Sequence, residues 1–209
     1  MKTRINTRFC IAALFIMVVF ASCIASRSMI AAMYGHFYKY QFAIREHTTH
    51  KPSTMFADKT FTVNFTPQYI RVNYSMSNNS TAAIRIIWDK AYIVVQDDSS
   101  KVIPSFISFE NKNTTPPFSE IVAGKALQGF ITPVDYIKSM DGKLTATEIY
   151  PSSEQGNSEQ TDWIMGLIGV NIFKLYLPVE SSGGMHVYCF TFYPIEMERS
   201  ATSSLPKTQ

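Results

Sequence analysis

From Phe56 onward the chain alternates. Phe61, Val63 and Phe65 are separated by Thr62, Asn64 and Thr66, and Ile70, Val72, Tyr74 and Met76 by Arg71, Asn73 and Ser75. Side chains of a strand point to opposite faces in turn, so this period predicts two half-buried strands, with Pro67 marking the turn between them. Residues 77–81 read as a polar turn. Ile84, Ile86 and Trp88 then share a face until Asp89 and Lys90 interrupt it, and residues 92–95 resume the apolar run. One long strand bulged at Asp89 is the expected form. Residues 97–100 read as a turn, 102–109 as a strand and 111–117 as a loop. Residues 126–131 read as a strand ending near Pro133, and 144–149 as another. Residues 172–179 and 185–195 flank Glu180, Ser181, Ser182, Gly183 and Gly184, the pattern of a hairpin. Residues 151–161 are rich in Ser, Glu, Gln and Gly and read as a mobile loop, and the tail from Glu198 has no apolar pattern.

Seven or eight strands without a long amphipathic helix predict an all-β fold, an antiparallel immunoglobulin-like β-sandwich over residues 56–198. A barrel is the other arrangement that satisfies the pattern. Leu175, Leu177, Val187, Phe190 and Trp88 are the expected core anchors. Of 209 residues, 46% are hydrophobic and 17% charged, enough apolar surface for one packed domain. Lys and Arg number 19 against 16 Asp and Glu, but Lys2, Arg4 and Arg8 lie in the first 22 residues, which hold no acid. Beyond them the balance is even, so no nucleic-acid partner is expected.

Those first residues follow a physical order: the three cations, then twelve uncharged residues from Phe9 to Phe20, then Ala21, Ser22 and Cys23. An apolar run of that length suits a signal-peptide core and falls short of the roughly 20 residues that span a bilayer. Val19, Ala21, Ser22 and Cys23, with Phe20 where Leu is usual, resemble the lipobox of bacterial lipoproteins. The resemblance implies that residues 1–22 are removed and that the Cys23 thiol is acylated. It also implies that residue 23 becomes the N-terminus of a chain held in the membrane by its acyl chains, with palmitate among them. Ile24 in the following position implies the outer membrane, since Asp there is associated with inner-membrane retention. An ordinary signal cleaved near Ala25, or an uncleaved anchor over residues 9–26, are the alternatives.

Residues 23–55 read as the lipidated start and a tether. Ala31, Ala32 and Met33 favour a short helix, Tyr34, Phe37, Tyr38, Tyr40 and Phe42 supply aromatics able to rest on the domain, and residues 46–54 read as a linker. Fully extended, thirty tether residues would reach about 100 Å. Residues 199–209 read as a flexible tail.

Chemical motifs are sparse. Cys10 lies in the signal core and Cys23 would be lipidated, which leaves Cys189 for the domain, read as a buried, inert thiol within an aromatic strand. His47 and His50, with Glu46 beside them, have a spacing compatible with metal ligands, but the Thr-rich setting before Pro52 reads as solvated linker. His36 and His186 have no local acid or nucleophile. Asp97 and Asp98 read as a solvated turn rather than a calcium loop. Asn64, Asn73, Asn78, Asn79 and Asn113 each open an Asn-x-Ser/Thr triplet, read as coincidence in a bacterial chain. Residues 78–104, with an Asn-rich turn before the Trp88–Asp89 pair and a later acidic turn, resemble segments of uncharacterised bacterial envelope lipoproteins, a likeness that carries no catalytic residue. The expectation is therefore a non-catalytic, cofactor-free envelope lipoprotein with a structural or protein-interaction role and an envelope protein as partner. A binding domain for a small apolar ligand lodged between sheets, or an enzyme with a site not visible in the sequence, are the alternatives.

Overall fold

The computed structural model describes residues 37–45, 53–95, 97–153 and 172–200. Thirteen strands occupy them: β1 Phe37–Arg45, β2 Met55–Ala57, β3 Phe61–Gln68, β4 Arg71–Asn78, β5 Ile84–Ile86, β6 Tyr92–Val95, β7 Asp98–Pro104, β8 Ser119–Ile121, β9 Ala126–Pro133, β10 Ile137–Met140, β11 Lys143–Ala146, β12 Phe173–Ser181 and β13 Gly184–Ser200. The expected all-β, antiparallel class is what the molecule shows. Eleven strands form one sheet in the order β1-β13-β12-β6-β7-β9-β4-β3-β2, with β5 beside β12 and β8 beside β5, while β10 and β11 make a separate ribbon.

The sheet curls until its faces meet and its ends almost join. β7 pairs with β6 through Asp98–Lys101 and with β9 through Val102–Pro104, and so turns the corner between two layers. Phe65 of β3 packs against Phe190 and Phe192 of β13 with ring centroids 4.8 and 5.3 Å apart, although the two strands are far apart along the ladder. At the open seam, the Ile44 N–H of β1 donates to the Ser53 carbonyl at 2.8 Å, and the Phe65 N–H of β3 donates to the Thr54 carbonyl at 3.0 Å. Two consecutive residues, just ahead of β2, thus bridge β1 and β3, and the sheet is nearly closed and barrel-like.

Both alternating runs hold except at Ile70, which lies in the turn and is not buried. Phe61, Val63, Phe65, Val72, Tyr74 and Met76 are all buried. Their turn is not at Pro67 but at Tyr69 and Ile70, because Gln68 pairs with Arg71 and Pro67 pairs with Val72 inside the ladder. β2 reaches only Asn64, so Pro67 sits where β3 has lost its second neighbour and a missing N–H costs no ladder bond. The expected bulge at Asp89 is instead a break. Between Ile86 and Tyr92 the chain advances six residues while their partners Val179 and Tyr176 on β12 are three apart. Three surplus residues exceed a bulge, and Trp88–Lys90 close them into a 3-10 turn. The turn expected over residues 97–100 is shorter than that, since Val95 already pairs with Asp98.

Part of the expected tether belongs to the sheet. β1 pairs along its length with β13, Phe37 opposite Ser200 and Arg45 opposite Thr191, and the same ladder carries β13 past Glu198 into the expected tail. Tyr38 and Phe42 are buried, with Tyr150 packed on Tyr40 and Phe42. Tyr38 and Phe42, attributed to a docked tether, are thus core residues of an edge strand, Phe37 and Tyr40 are half-buried on it, and Tyr34 lies outside the described residues. The hairpin is present and tighter than five residues, since Ser181 pairs with Gly184 across Ser182 and Gly183. Gly184 lies at φ 103°, where a side chain would be strained.

Register decides the remaining core assignments. Leu175 faces Phe190 and Leu177 faces Tyr188, so even-numbered residues of this part of β13 point inward. Leu175, Leu177, Phe190 and Trp88 are buried as expected. Val187 and Cys189 point outward: Val187 is 55% exposed, and Cys189 is an exposed thiol rather than a buried one. The expected helix near Met29 and the loop of residues 154–161 lie outside the described residues.

Candidate functional site

An open cleft of ≈ 690 Å³ lies at the hairpin end of the molecule. Three walls make it: the β2–β3 connection with Asp58, Lys59 and Thr60, the β4–β5 connection with Asn79, Ser80 and Thr81, and the β12–β13 turn with Ser181, Ser182 and the first residues of β13. Each wall is held by a short polar side chain folded back on its own backbone, the habit that places Asp, Asn and Ser in turns. Asp58 Oδ1 accepts the N–H groups of Thr60 at 2.7 Å and Phe61 at 2.8 Å. Asn78, 3% exposed, uses both ends of its amide. Its Nδ2 donates to the carbonyls of Ala82 and Ile121 at 2.8 Å each, and its Oδ1 accepts from the Ser80 N–H at 2.9 Å and the Ser80 hydroxyl at 2.8 Å.

Asp58 ties the walls together. Its Oδ2 accepts the Tyr188 hydroxyl at 2.9 Å across 130 residues of sequence, and its carbonyl accepts Asn79 Nδ2 at 3.0 Å. Asn79 Nδ2 also donates to Thr62 Oγ1 at 2.8 Å. Burial, and then the hydrogen bond to the Asp58 carboxylate, push the Tyr188 phenol above its usual range. Its ring is set edge-on against Phe61 with centroids 4.7 Å apart. The carboxylate is thereby committed to structure. Lys59 and His186 are exposed and have no ion-pair partner among the described residues, so the Lys59 ammonium and the ring N–H of His186 are the polar groups of the cleft left to meet an anion.

A shallower groove adjoins, sharing Ser181 and Ser182 and lined by Arg85, Glu120 and Glu180. Arg85 Nε lies 3.0 Å from Glu120 Oε2 and its guanidinium 3.7 Å from Glu180 Oε2, one cation shared by two exposed carboxylates, which adds little stability and leaves the groove net negative. On the outer sheet face, Met185, Val187 and Cys189 follow one another along β13, and Cys189 stands opposite Tyr176, which stacks on Tyr92 at 4.5 Å. A hydrogen bond with the Cys189 thiol pushes the Tyr176 phenol up.

The residues singled out from sequence scatter. Cys23, His36, Glu46, His47 and His50 lie outside the described residues. Asp97 and Asp98 are exposed, and no cluster of three or more His, Cys, Asp or Glu able to hold a metal occurs among the described residues. Trp88 is a core anchor whose indole N–H donates to Ser119 Oγ at 2.8 Å, and Asp89 is exposed in the 3-10 turn. Asn78 is occupied by its four hydrogen bonds and Asn79 by two, so both triplets that begin there serve the turn. Of the candidates among the described residues, His186 and Asn79 reach the cleft. Asp58 was missed because a single acid in a polar gap has no local signature, and its partner Tyr188 comes from the other end of the chain.

Among the described residues no helix is long and apolar enough to cross a membrane. No family model matches the chain, and neither a curated protein nor a solved structure shows significant similarity to it.

Proposed function

We propose that the chain is a lipid-anchored bacterial envelope protein, attached through Cys23 and non-catalytic, whose β domain holds a recognition cleft away from the membrane for an envelope partner. One observation carries this reading: the cleft and the anchor-side entry to the domain lie at opposite ends of the longest strand. The chain from Cys23 enters at Phe37, opposite Ser200, while the cleft is built around the start of β13 at Gly184. Sixteen residue steps separate those ends, about 50 Å along a strand. Only residues 24–36 remain as tether, a reach of about 45 Å at full extension instead of about 100 Å. The domain itself, more than the tether, then supplies the distance from the lipid. Ile24 supports the outer membrane.

The cleft supports binding over turnover. Asp58 spends its oxygens on Thr60, Phe61 and Tyr188, and His186 has no carboxylate partner among the described residues. A carrier of apolar ligands is disfavoured by the interior: the void between Val63, Trp88 and Leu175 is ≈ 10 Å³, about one water. We read the domain as a sandwich rather than a hollow barrel for the same reason, because the face-to-face packing of β3 on β13 leaves no lumen there. Its eleven-stranded sheet exceeds the seven to nine strands of an immunoglobulin domain.

Two measurements test the proposal. Palmitate should label the wild type and not Cys23→Ala; equal labelling of both would sink the anchor. In vesicles with an acceptor dye on the headgroups, a donor dye at Ser182 should transfer less energy than one at Lys39 on β1. Equal transfer from the two sites would overturn the orientation.

A further inference from the structure

We propose that the cleft binds an acidic saccharide, with Lys59 and His186 receiving the anionic substituent and the hydroxyl-rich walls receiving the ring. The proposal rests on the reading of this end as the binding end and adds the ligand class.

The chemistry of the walls selects the ligand. Thr81 and Ser182 are short hydroxyl side chains that both donate and accept, and the Ser80 hydroxyl, its proton spent on the turn, keeps a lone pair to accept, which matches the mixed donors and acceptors of a sugar ring. Their small size lets a ring approach the backbone of the turns closely. Tyr188 adds a half-buried aromatic surface, the partner that the C–H face of a pyranose requires, held in place by Asp58 and Phe61. A metal cation is a poor fit, because the Asp58 oxygens already accept three hydrogen bonds. An apolar ligand is a poor fit, because Val187 is the one aliphatic side chain of the lining. The Lys59 ammonium and the ring N–H of His186, neither with an ion-pair partner among the described residues, instead invite a carboxylate or phosphate.

Preorganisation strengthens the case. The β4–β5 wall is fixed by Asn78, and all three walls converge on Asp58 through Asn79 and Tyr188, so little ordering remains to oppose binding. The volume of ≈ 690 Å³ falls within the 300–1,000 Å³ typical of small-ligand sites.

The test uses the full chain in detergent micelles and titration calorimetry with three probes: a muramic-acid-containing tetrasaccharide, trigalacturonate and uncharged maltotriose. Both acidic probes should bind, and maltotriose at least about tenfold more weakly. Lys59→Gln, at an exposed side chain with no ion-pair partner among the described residues, should weaken the acidic probes by about tenfold and leave maltotriose unchanged. Stronger binding of the muramyl probe assigns an envelope glycan, and equal binding of both acidic probes assigns recognition of the acid group from any source; either upholds the proposal. Equal affinity for neutral and acidic probes, no binding of any, or indifference to Lys59→Gln would overturn it. If the saccharide assay fails while palmitate labelling and energy transfer behave as expected, the ligand assignment falls and the anchored reading stands.

Discussion

Replacing Asn78 probes the cleft and the fold at once. In Asn78→Ala the Ile121 carbonyl loses its side-chain donor at a buried position, Ala82 keeps only the Ser80 hydroxyl, and the Ser80 N–H loses its acceptor. A hydrogen bond contributes about 1 kcal/mol net, and a buried group left unpaired costs about 1–3 kcal/mol. Taking the larger value only for Ile121, the sum is roughly 3–4 kcal/mol. For a domain of this size that lowers Tm by about 6–15 °C. Asn78→Asp separates hydrogen bonding from packing, because it keeps the shape but turns an acceptor oxygen toward one or both carbonyls. It should therefore be worse than Ala. Urea unfolding followed by far-ultraviolet circular dichroism, with scanning calorimetry alongside, measures both variants. An Asn78→Asp protein within about 1 kcal/mol of wild type would refute the account, since an isostere with the wrong polarity would then be tolerated.

Other outcomes follow from the same structure. Phe190→Ala removes a 3% exposed ring packed on Phe56 and Phe65 and should cost about 3–5 kcal/mol in urea unfolding; a loss below about 1 kcal/mol would mean that the two sheet layers do not meet there. Burial pushes the Tyr74 phenol up to about 12, and the Tyr40 and Tyr150 phenols are raised by burial and then by Tyr69. Above pH 10 the unfolded chain releases protons that the folded chain retains, so stability should be intact below that value and decline as pH rises toward 12. A urea midpoint that stays flat from pH 9 to 11.5 would contradict this. In a variant lacking Cys10 and Cys23, Ellman's reagent should titrate one thiol, Cys189, without denaturant, and protection until unfolding would show that β13 presents its other face.

The alternation at Phe61–Phe65 and Val72–Met76 determines two strands and their buried faces with no knowledge of the rest, because each side chain's direction follows from the strand period. Trp88 and the hairpin around Gly184 were legible for similarly local reasons: a large apolar ring before a polar break, and a Gly-rich turn between apolar runs. Strand continuity was not. Whether the interruption at Asp89 is a bulge or a break depends on how many residues β12 offers opposite it, a count made in another segment. The strand β1 was hidden because its aromatics, read without β13, look the same on a tether as in a sheet.

Sequence by itself determined the class of the fold, the cationic-apolar order of the N-terminus and the even charge of the remainder, since each is a property of composition or of neighbours a few residues apart. Tertiary structure decided which face β13 turns inward, and with it the exposure of Val187 and Cys189, because a one-residue change of register exchanges the faces of a strand. It also decided the cleft. Asp58, Asn79 and Tyr188 are ordinary turn and strand residues in the chain, and they become one site only when the sheet curls and carries Tyr188 to within 2.9 Å of a carboxylate 130 positions away.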